Sequence, residues 1–349
     1  EEFLDATRDM VQEEAFLIGV RELSEILAPE AAGRAYSALA ASLVRATLAH
    51  VQASFAAEHG HVPGGCCAIV AMGRLGSRAM TATSDLDLIL LYDFNESRPE
   101  SDGRRPLHAL QYYTRLTQRL ISALTVTTRR GRLYEVDMRL RPSGGKGPVA
   151  TQFRAFVDYQ SQSAESWEHM ALTRARAIAG EAPLVAMAQE AVGSILRLER
   201  EPEKLRRDAF DMRALIAQEK GETDPWDLKL ASGGITDIDF IAQYLTLRHA
   251  AHHPDLPTPD VVATLTRSTE LGLIDGGQGE ALIRAYCLYT AVMQMMRLTS
   301  EGAFNPATAP AGVKRHIAAA AGLPDFLRLE RSIAETRGAV RGIFMDVLG

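Results

Sequence analysis

Between residues 36 and 55 apolar side chains return at intervals close to 3.6: Tyr36, Leu39, Leu43, Leu48, Val51 and Phe55. That spacing predicts one buried helix face. Residues 1–59 read as two helices, ended at His59-Gly60 and followed by the loop HVPGG over 61–65. The period then changes. CCAIVAM (66–72) is a short apolar run of the kind a buried strand shows, and GRLGSRAM (73–80) reads as a turn leading into a short helix. DLDLILLY (85–92) alternates at its start, NESRPESDGRRP (95–106) is a polar loop, and 107–125 returns to helix. RLYEVDMRL (132–140) alternates again, so 66–140 predicts strand–helix–strand–helix–strand. From about 152 onward the pattern predicts helices only: 166–179, 183–199, 203–220, 235–250, 258–272, 276–298, 311–320 and 324–348. ASGG (231–234) and PDLPTPD (254–260) interrupt them. The expected fold class is α+β, with N-terminal helices over 1–62, a small sheet domain over 63–180 and a helical domain over 181–349.

Composition narrows the partners. The net charge is 38 − 44 = −6, whereas a duplex-binding domain carries a basic excess, so nucleic acid is not expected. A small anionic ligand held by a few local arginines remains open. No run of about 18 uncharged apolar residues is present, so no membrane span is expected. The opening EEFLDATRDM is acidic and amphipathic, unlike a secretory signal. Cys66 and Cys67 are adjacent in an apolar run, and with Cys287 they read as small buried hydrophobes in a reduced compartment, implying a cytoplasmic protein.

The chemistry concentrates at Asp85, Asp87 and Asp137. Asp85 and Asp87 stand two apart in a predicted strand, so both side chains leave one face while Leu86, Leu88 and Leu90 point the other way. Aspartate is depleted in strands, so the pair works against local propensity. Asp137 lies in the third predicted strand. If these strands are neighbours, three carboxylates converge and need a cation, and hard oxygen ligands of this kind suit Mg²⁺. The bland alternative makes Asp85 a capping residue and Asp87 part of a solvated face. The Gly76-Ser77 turn just before the pair adds a place where backbone N–H groups can approach phosphate.

MGRLGSRAMTATSDLDLILLYD (72–93) resembles the nucleotidyltransferase superfamily pattern, Gly-Gly/Ser followed by Asp-x-Asp on a strand. More closely, it is similar to the bacterial glutamine synthetase adenylyltransferase family. The similarity continues through LYEVDMRLRPSGGKGP (133–148), SWEHMALTRARAIAG (166–180) and LKLASGGITDIDFIAQYL (228–245), four blocks in order. Two departures stand out: Ala79 where the family usually has Glu, and Asp239 where it commonly has Glu. The resemblance implies a polymerase-β-like catalytic sheet, ATP as substrate and two Mg²⁺ ions on Asp85, Asp87 and Asp137. It also implies glutamine synthetase as acceptor and the PII signalling protein as regulator.

Other residues carry two readings each. Arg139 and Arg141 either clamp a triphosphate or pair with the aspartates beside them. Arg174 and Arg176, read as helical and two apart, could bring one guanidinium to the active site while the other is solvated, and Lys229 could meet a phosphate against an exposed default. Tyr159 and Trp167 could stack on adenine, but aromatics at helical spacing are usually core. Asp237 either complements a helix N-terminus or serves the cleft. His252-His253 lack metal-ligand company and read as surface. The implied reaction is AMP transfer to a protein tyrosine, with Thr236 and His169-Met170 matching the adenylylating half. The rivals are the deadenylylating half, a catalytically silent regulatory module and a small-molecule transferase.

Overall fold

The computed structural model describes residues 2–300 and 302–349. Among them the chain divides into two compact units. The first is Glu1–Phe16, Tyr36–Met80 and Ser84–Ile195, and the second is Leu17–Ala35, Thr81–Thr83 and Leu196–Gly349. The architecture is α+β: a mixed five-stranded sheet flanked by helices, then a helical C-terminal region.

Helices α1 (Glu2–Leu23) and α2 (Pro29–His59) open the chain and contribute residues to both units. Pro29 starts α2 where a missing N–H costs nothing. The spacing read from the sequence is the buried face of α2, with Tyr36, Leu43, Leu48, Val51 and Phe55 all buried. Strand β1 (Cys66–Ala71) follows, then the single-turn helix α3 (Gly73–Gly76) and strand β2 (Leu86–Asp93). β1 and β2 pair antiparallel from Cys66↔Asp93 to Ala71↔Leu88. Helix α4 (Ala109–Thr125) buries Tyr112, Tyr113, Leu116, Leu120 and Leu124. It returns the chain for β3 (Val136–Asp137) and β4 (Ala150–Gln152), both parallel to β2. β3 pairs the start of β2 and β4 its far end. From Leu88 to Tyr92 β2 is buried on both faces, so only its beginning can present polar groups.

Three local expectations are corrected. The alternation over 132–140 yields only the two-residue β3. β4 was not foreseen, because three residues carry too little pattern. The helix expected over 166–179 stops early: α5 (Phe153–Gln162) and α6 (Ser166–Leu172) are followed by a fifth strand, β5 (Arg176–Gly180). β5 pairs antiparallel with β1, at Ala71↔Arg176 and Ala68↔Gly180. Its alanines favour helix locally, but the unpaired edge of β1 offers a ladder, and small side chains suit the close packing there. Strands therefore continue past residue 152. Helix α7 (Ala182–Leu196) closes this part of the chain.

The second unit is built on α8 (Pro202–Lys220), α9 (Ile235–His249), α10 (Val261–Glu270), α11 (Gly276–Thr299), α12 (Ala311–Ala320) and α13 (Phe326–Leu348). Glu201, Asp260, Asp275 and Asp325 accept N–H groups of the first turns of α8, α10, α11 and α13. At its centre Asp237, on α9 and fully buried, accepts from Arg213 Nε on α8 at 2.5 Å and from the Gly233 amide at 2.9 Å. Arg341 on α13 adds a third bond at 3.2 Å. Gly233 has φ +75°, and a β-carbon there would stand 2.0 Å from the Arg337 carbonyl oxygen.

Candidate active site

The site begins where β2 begins. Asp85 is exposed and immediately precedes the strand, and Asp87 is its second residue, partly shielded. Leu86 between them is buried. Across the parallel ladder Leu86 stands beside Val136 and Asp87 beside Asp137. The two carboxylates thus issue from neighbouring positions on neighbouring strands. Among the described residues no three His, Cys, Asp or Glu groups gather tightly enough to hold a metal ion by themselves. The structure therefore brings together Asp87 and Asp137, with Asp85 at the mouth.

A cation already answers one of the pair. Arg139 Nε lies 2.9 Å from Asp137 Oδ2, and the Arg139 amide donates to Asp137 Oδ1 at 2.8 Å. These bonds hold the Asp137 carboxyl below its ordinary range, against the opposing effect of partial burial. Asp137, and more weakly Asp87, in turn strengthen the hold of Arg139 on its proton. The Arg139 side chain is 81% exposed, so it can leave Asp137 for another anion. Arg141 behaves differently. Its guanidinium donates to the carbonyls of Met138, Gly147 and Pro148 and shapes the glycine loop that follows β3. In this structure it organises the loop.

Helix α3 is the other wall. Gly73, at φ +53°, opens it, and a β-carbon there would stand 2.2 Å from Asp87 Oδ2. The glycine that meets the carboxylate is therefore Gly73, which the sequence reading passed over. Its signal was present: a glycine directly after a buried strand and 14 residues before Asp87. Gly76 and Ser77 end the helix and do not lead into one, which corrects the expected order. Gly76 packs on the Arg174 carbonyl, where a β-carbon would be 1.7 Å from the oxygen. Ser77 is buried, and its hydroxyl donates back to Gly73 O at 3.1 Å.

The remaining candidates separate. Arg174 lies in the turn after α6 and Arg176 on β5, so neither is helical. Tyr159 donates its hydroxyl to Glu168 at 3.0 Å, and Trp167 is half-exposed on α6. Lys229 is an exposed residue of the second unit whose carbonyl accepts from Thr236 Oγ1. Asp237 is enclosed in the ion-pair network described above. His252 and His253 sit in the turn that closes α9. Among the described residues, no helix is long and apolar enough to cross a membrane.

The donors present fit Mg²⁺ in chemistry. Magnesium is usually held by one or two carboxylates completed by water and substrate phosphate. Two adjacent aspartates with a third at the mouth, against one exposed arginine, meet that requirement.

Two families of known proteins match the chain. The family described as glutamate-ammonia ligase adenylyltransferase matches residues 1–191, and that described as GlnD PII-uridylyltransferase matches residues 210–348. Several curated relatives are called bifunctional glutamine synthetase adenylyltransferase/adenylyl-removing enzyme. Those of Bradyrhizobium diazoefficiens and Rhodopseudomonas palustris are each 47% identical over the whole of this chain. That of Agrobacterium fabrum is 44% identical. The chain spans 35% of the length of these relatives.

Proposed function

The chain belongs to the glutamate-ammonia ligase adenylyltransferase family, and on that premise we propose that it transfers AMP from ATP to a tyrosine of glutamine synthetase. The observation that carries the reading is the register pairing of Asp87 with Asp137 beside the Gly73 turn. Asp85, Asp87 and Asp137 are the proposed ligands of Mg²⁺, which when bound polarises the α-phosphate and steadies the departing pyrophosphate. The protein's own groups do the rest. Gly73 keeps the wall beside Asp87 free of any side chain. Arg139 is the mobile counter-charge: on Asp137 it keeps that carboxylate a weak base, and on a triphosphate it neutralises phosphate oxygens. Asp137 is also the group proposed to accept the proton of a tyrosine whose ordinary pKa is about 10.

The adenylylating direction is proposed over adenylyl removal. Phosphorolysis needs a fixed cation beside bound AMP-tyrosine. At the positions where the other half of the family carries arginine, Thr236 donates to the Lys229 carbonyl and His169 Nε2 meets the Gln160 carbonyl. Both groups are turned to the backbone. The match of residues 210–348 to the PII-uridylyltransferase family supports the PII signalling protein as regulator.

The test mixes the chain with unmodified glutamine synthetase and α-labelled MgATP, and separately with adenylylated glutamine synthetase and phosphate. AMP incorporation in the first tube and little ADP in the second are expected. ADP from the second tube with no labelling in the first would assign the opposite direction.

A further inference from the structure

Residues 126–131 carry the chain from the end of α4 toward β3, and Thr128 and Gly131 close this turn by exchanging amide-to-carbonyl bonds of 2.9 and 3.0 Å. The turn is held by α1. Arg8 is fully buried, and its Nη2 donates to the Val126 carbonyl at 3.0 Å, 118 positions away in sequence. Its Nη1 reaches Asp5 Oδ1 at 3.4 Å, and the same oxygen accepts the Thr128 hydroxyl at 3.3 Å. One turn further along the helix, Gln12 Nε2 donates to the Arg130 carbonyl at 2.6 Å, and Asp9 takes the Arg130 guanidinium at 3.3 Å. Asp5, Arg8, Asp9 and Gln12 recur at intervals of three and four, so they form one stripe of α1. Among the described residues, every side-chain hydrogen bond between this turn and the rest of the chain is made with that stripe. Packing alone does not call for an arginine here. Burying a guanidinium is costly, an apolar side chain of similar volume is often as stable, and Arg8 Nε is buried with no hydrogen-bond partner. What arginine adds is a rigid fork, with one branch on the end of α4 and the other on the aspartate that holds Thr128.

We infer that Arg8, supported by Gln12, is a positioning residue for Asp137; its consequence for catalysis rests on the role proposed for Asp137 above. β3 pairs with β2 only through Leu86↔Val136 and Asp87↔Asp137. Two pairs fix the place of a strand weakly, so the segment that enters β3 decides where Asp137 stands. That segment has two backbone ties, the Tyr134 amide to the Leu124 carbonyl at 3.1 Å and the Leu86 amide to the Glu135 carbonyl at 2.9 Å. Leu124 and Val126 both belong to the C-terminal end of α4. Arg8 therefore holds the end of α4, the end of α4 holds Tyr134, and Asp137 follows three residues later. Gln12 holds the turn between them. The stripe acts through the backbone. Its release would leave β3 to two pairs, and a catalytic group displaced by about 1 Å can cost roughly a hundredfold in rate.

Amide exchange and steady-state kinetics on the same variants test the inference. Arg8→Met fills the same space without the fork, and Gln12→Ala changes an exposed side chain. In both, deuterium should enter Val136 and Asp137 faster than in the wild type, with exchange in β1 unchanged. With MgATP and glutamine synthetase, kcat should fall roughly ten- to a hundredfold in Arg8→Met and less in Gln12→Ala, while KM for ATP stays unchanged. Arg8→Lys, which restores a donor, should recover part of the loss. Unchanged exchange at β3 in both Arg8→Met and Gln12→Ala would overturn the inference. Should Arg8→Met loosen the whole unit, Gln12→Ala decides: exchange raised at β3 alone supports the positioning role, and exchange unchanged there overturns it. Asp137→Asn separates the inference from the reading it rests on. An inactive Asp137→Asn beside α1 variants of wild-type kcat would remove the positioning role and leave the assignment of Asp137 standing. A fully active Asp137→Asn would remove that assignment, and exchange at β3 would still judge the hold of α1.

Discussion

A β-carbon on Gly73 would come within 2.2 Å of Oδ2 of Asp87. The colliding atom is the end of a side chain, so Asp87 can yield, but its carboxylate must then leave the position it holds here. Gly73→Ala should therefore lower AMP transfer by orders of magnitude while costing only about 1–2 kcal/mol of stability through its left-handed backbone. Activity and thermal melting measured side by side would check this. A fully active Gly73→Ala would show that the position of Asp87 is not critical.

Asp85→Asn and Asp87→Asn should abolish transfer and leave the melting temperature unchanged or raised, because like charges near one another are relieved. Asp137→Asn should also lose transfer without a stability gain, since it removes the partner of Arg139. Near-normal turnover in any of the three would sink the carboxylate assignment.

ATP should bind more tightly with Mg²⁺ or Mn²⁺ than in chelator. Calorimetry giving equal ATP affinity with and without metal would argue against a metal-assisted reaction.

Glu22 on α1 is 3% exposed, and burial, reinforced by the charge of Glu30, lifts its pKa from 4.5 to about 7. The folded chain therefore holds a proton that the unfolded chain releases at lower pH. This destabilisation is absent below about pH 4.5, grows as pH rises and levels off above about 7. Glu22→Gln stays neutral throughout, so it should gain on the wild type between pH 5 and 8, by at most about 3 kcal/mol. Urea melts at the two pH values would show it, and parallel pH trends in both proteins would refute it.

Asp237→Ala would leave Arg213 as a buried charge deprived of its closest partner, a change that typically costs about 3–5 kcal/mol. A thermal melt should show the loss. A shift of only a degree or two would mean that Glu222, 3.1 Å from Arg213, suffices to balance it.

Much of this was legible in the sequence. The α2 face, the run of β1, the start of β2 and the helices beyond residue 200 follow from periodicity and from capping acids. Asp85 and Asp87 stood out as aspartates set against strand propensity. The parts that escaped depend on partners distant in the chain. β5 exists because β1 has a free edge, and alanines alone read as helix. Arg141 and Asp237 looked available because side-chain charge says nothing of burial or of carbonyls nearby. The importance of Gly73 rests on its distance from Asp87, which no local pattern encodes.

β3 has two residues, and its approach to β2 includes the bond from the Leu86 amide to the Glu135 carbonyl, 2.9 Å long. A strand this short is held mainly by what its side chains meet, and its amides belong to the part of the fold that opens most readily to solvent. Deuterium should therefore enter Val136 and Asp137 well before it enters β1, whatever the global stability. One half of the carboxylate pair is carried by the eight-residue β2 and the other by the two-residue β3, so occupancy of the site should be read first as slowed exchange at β3.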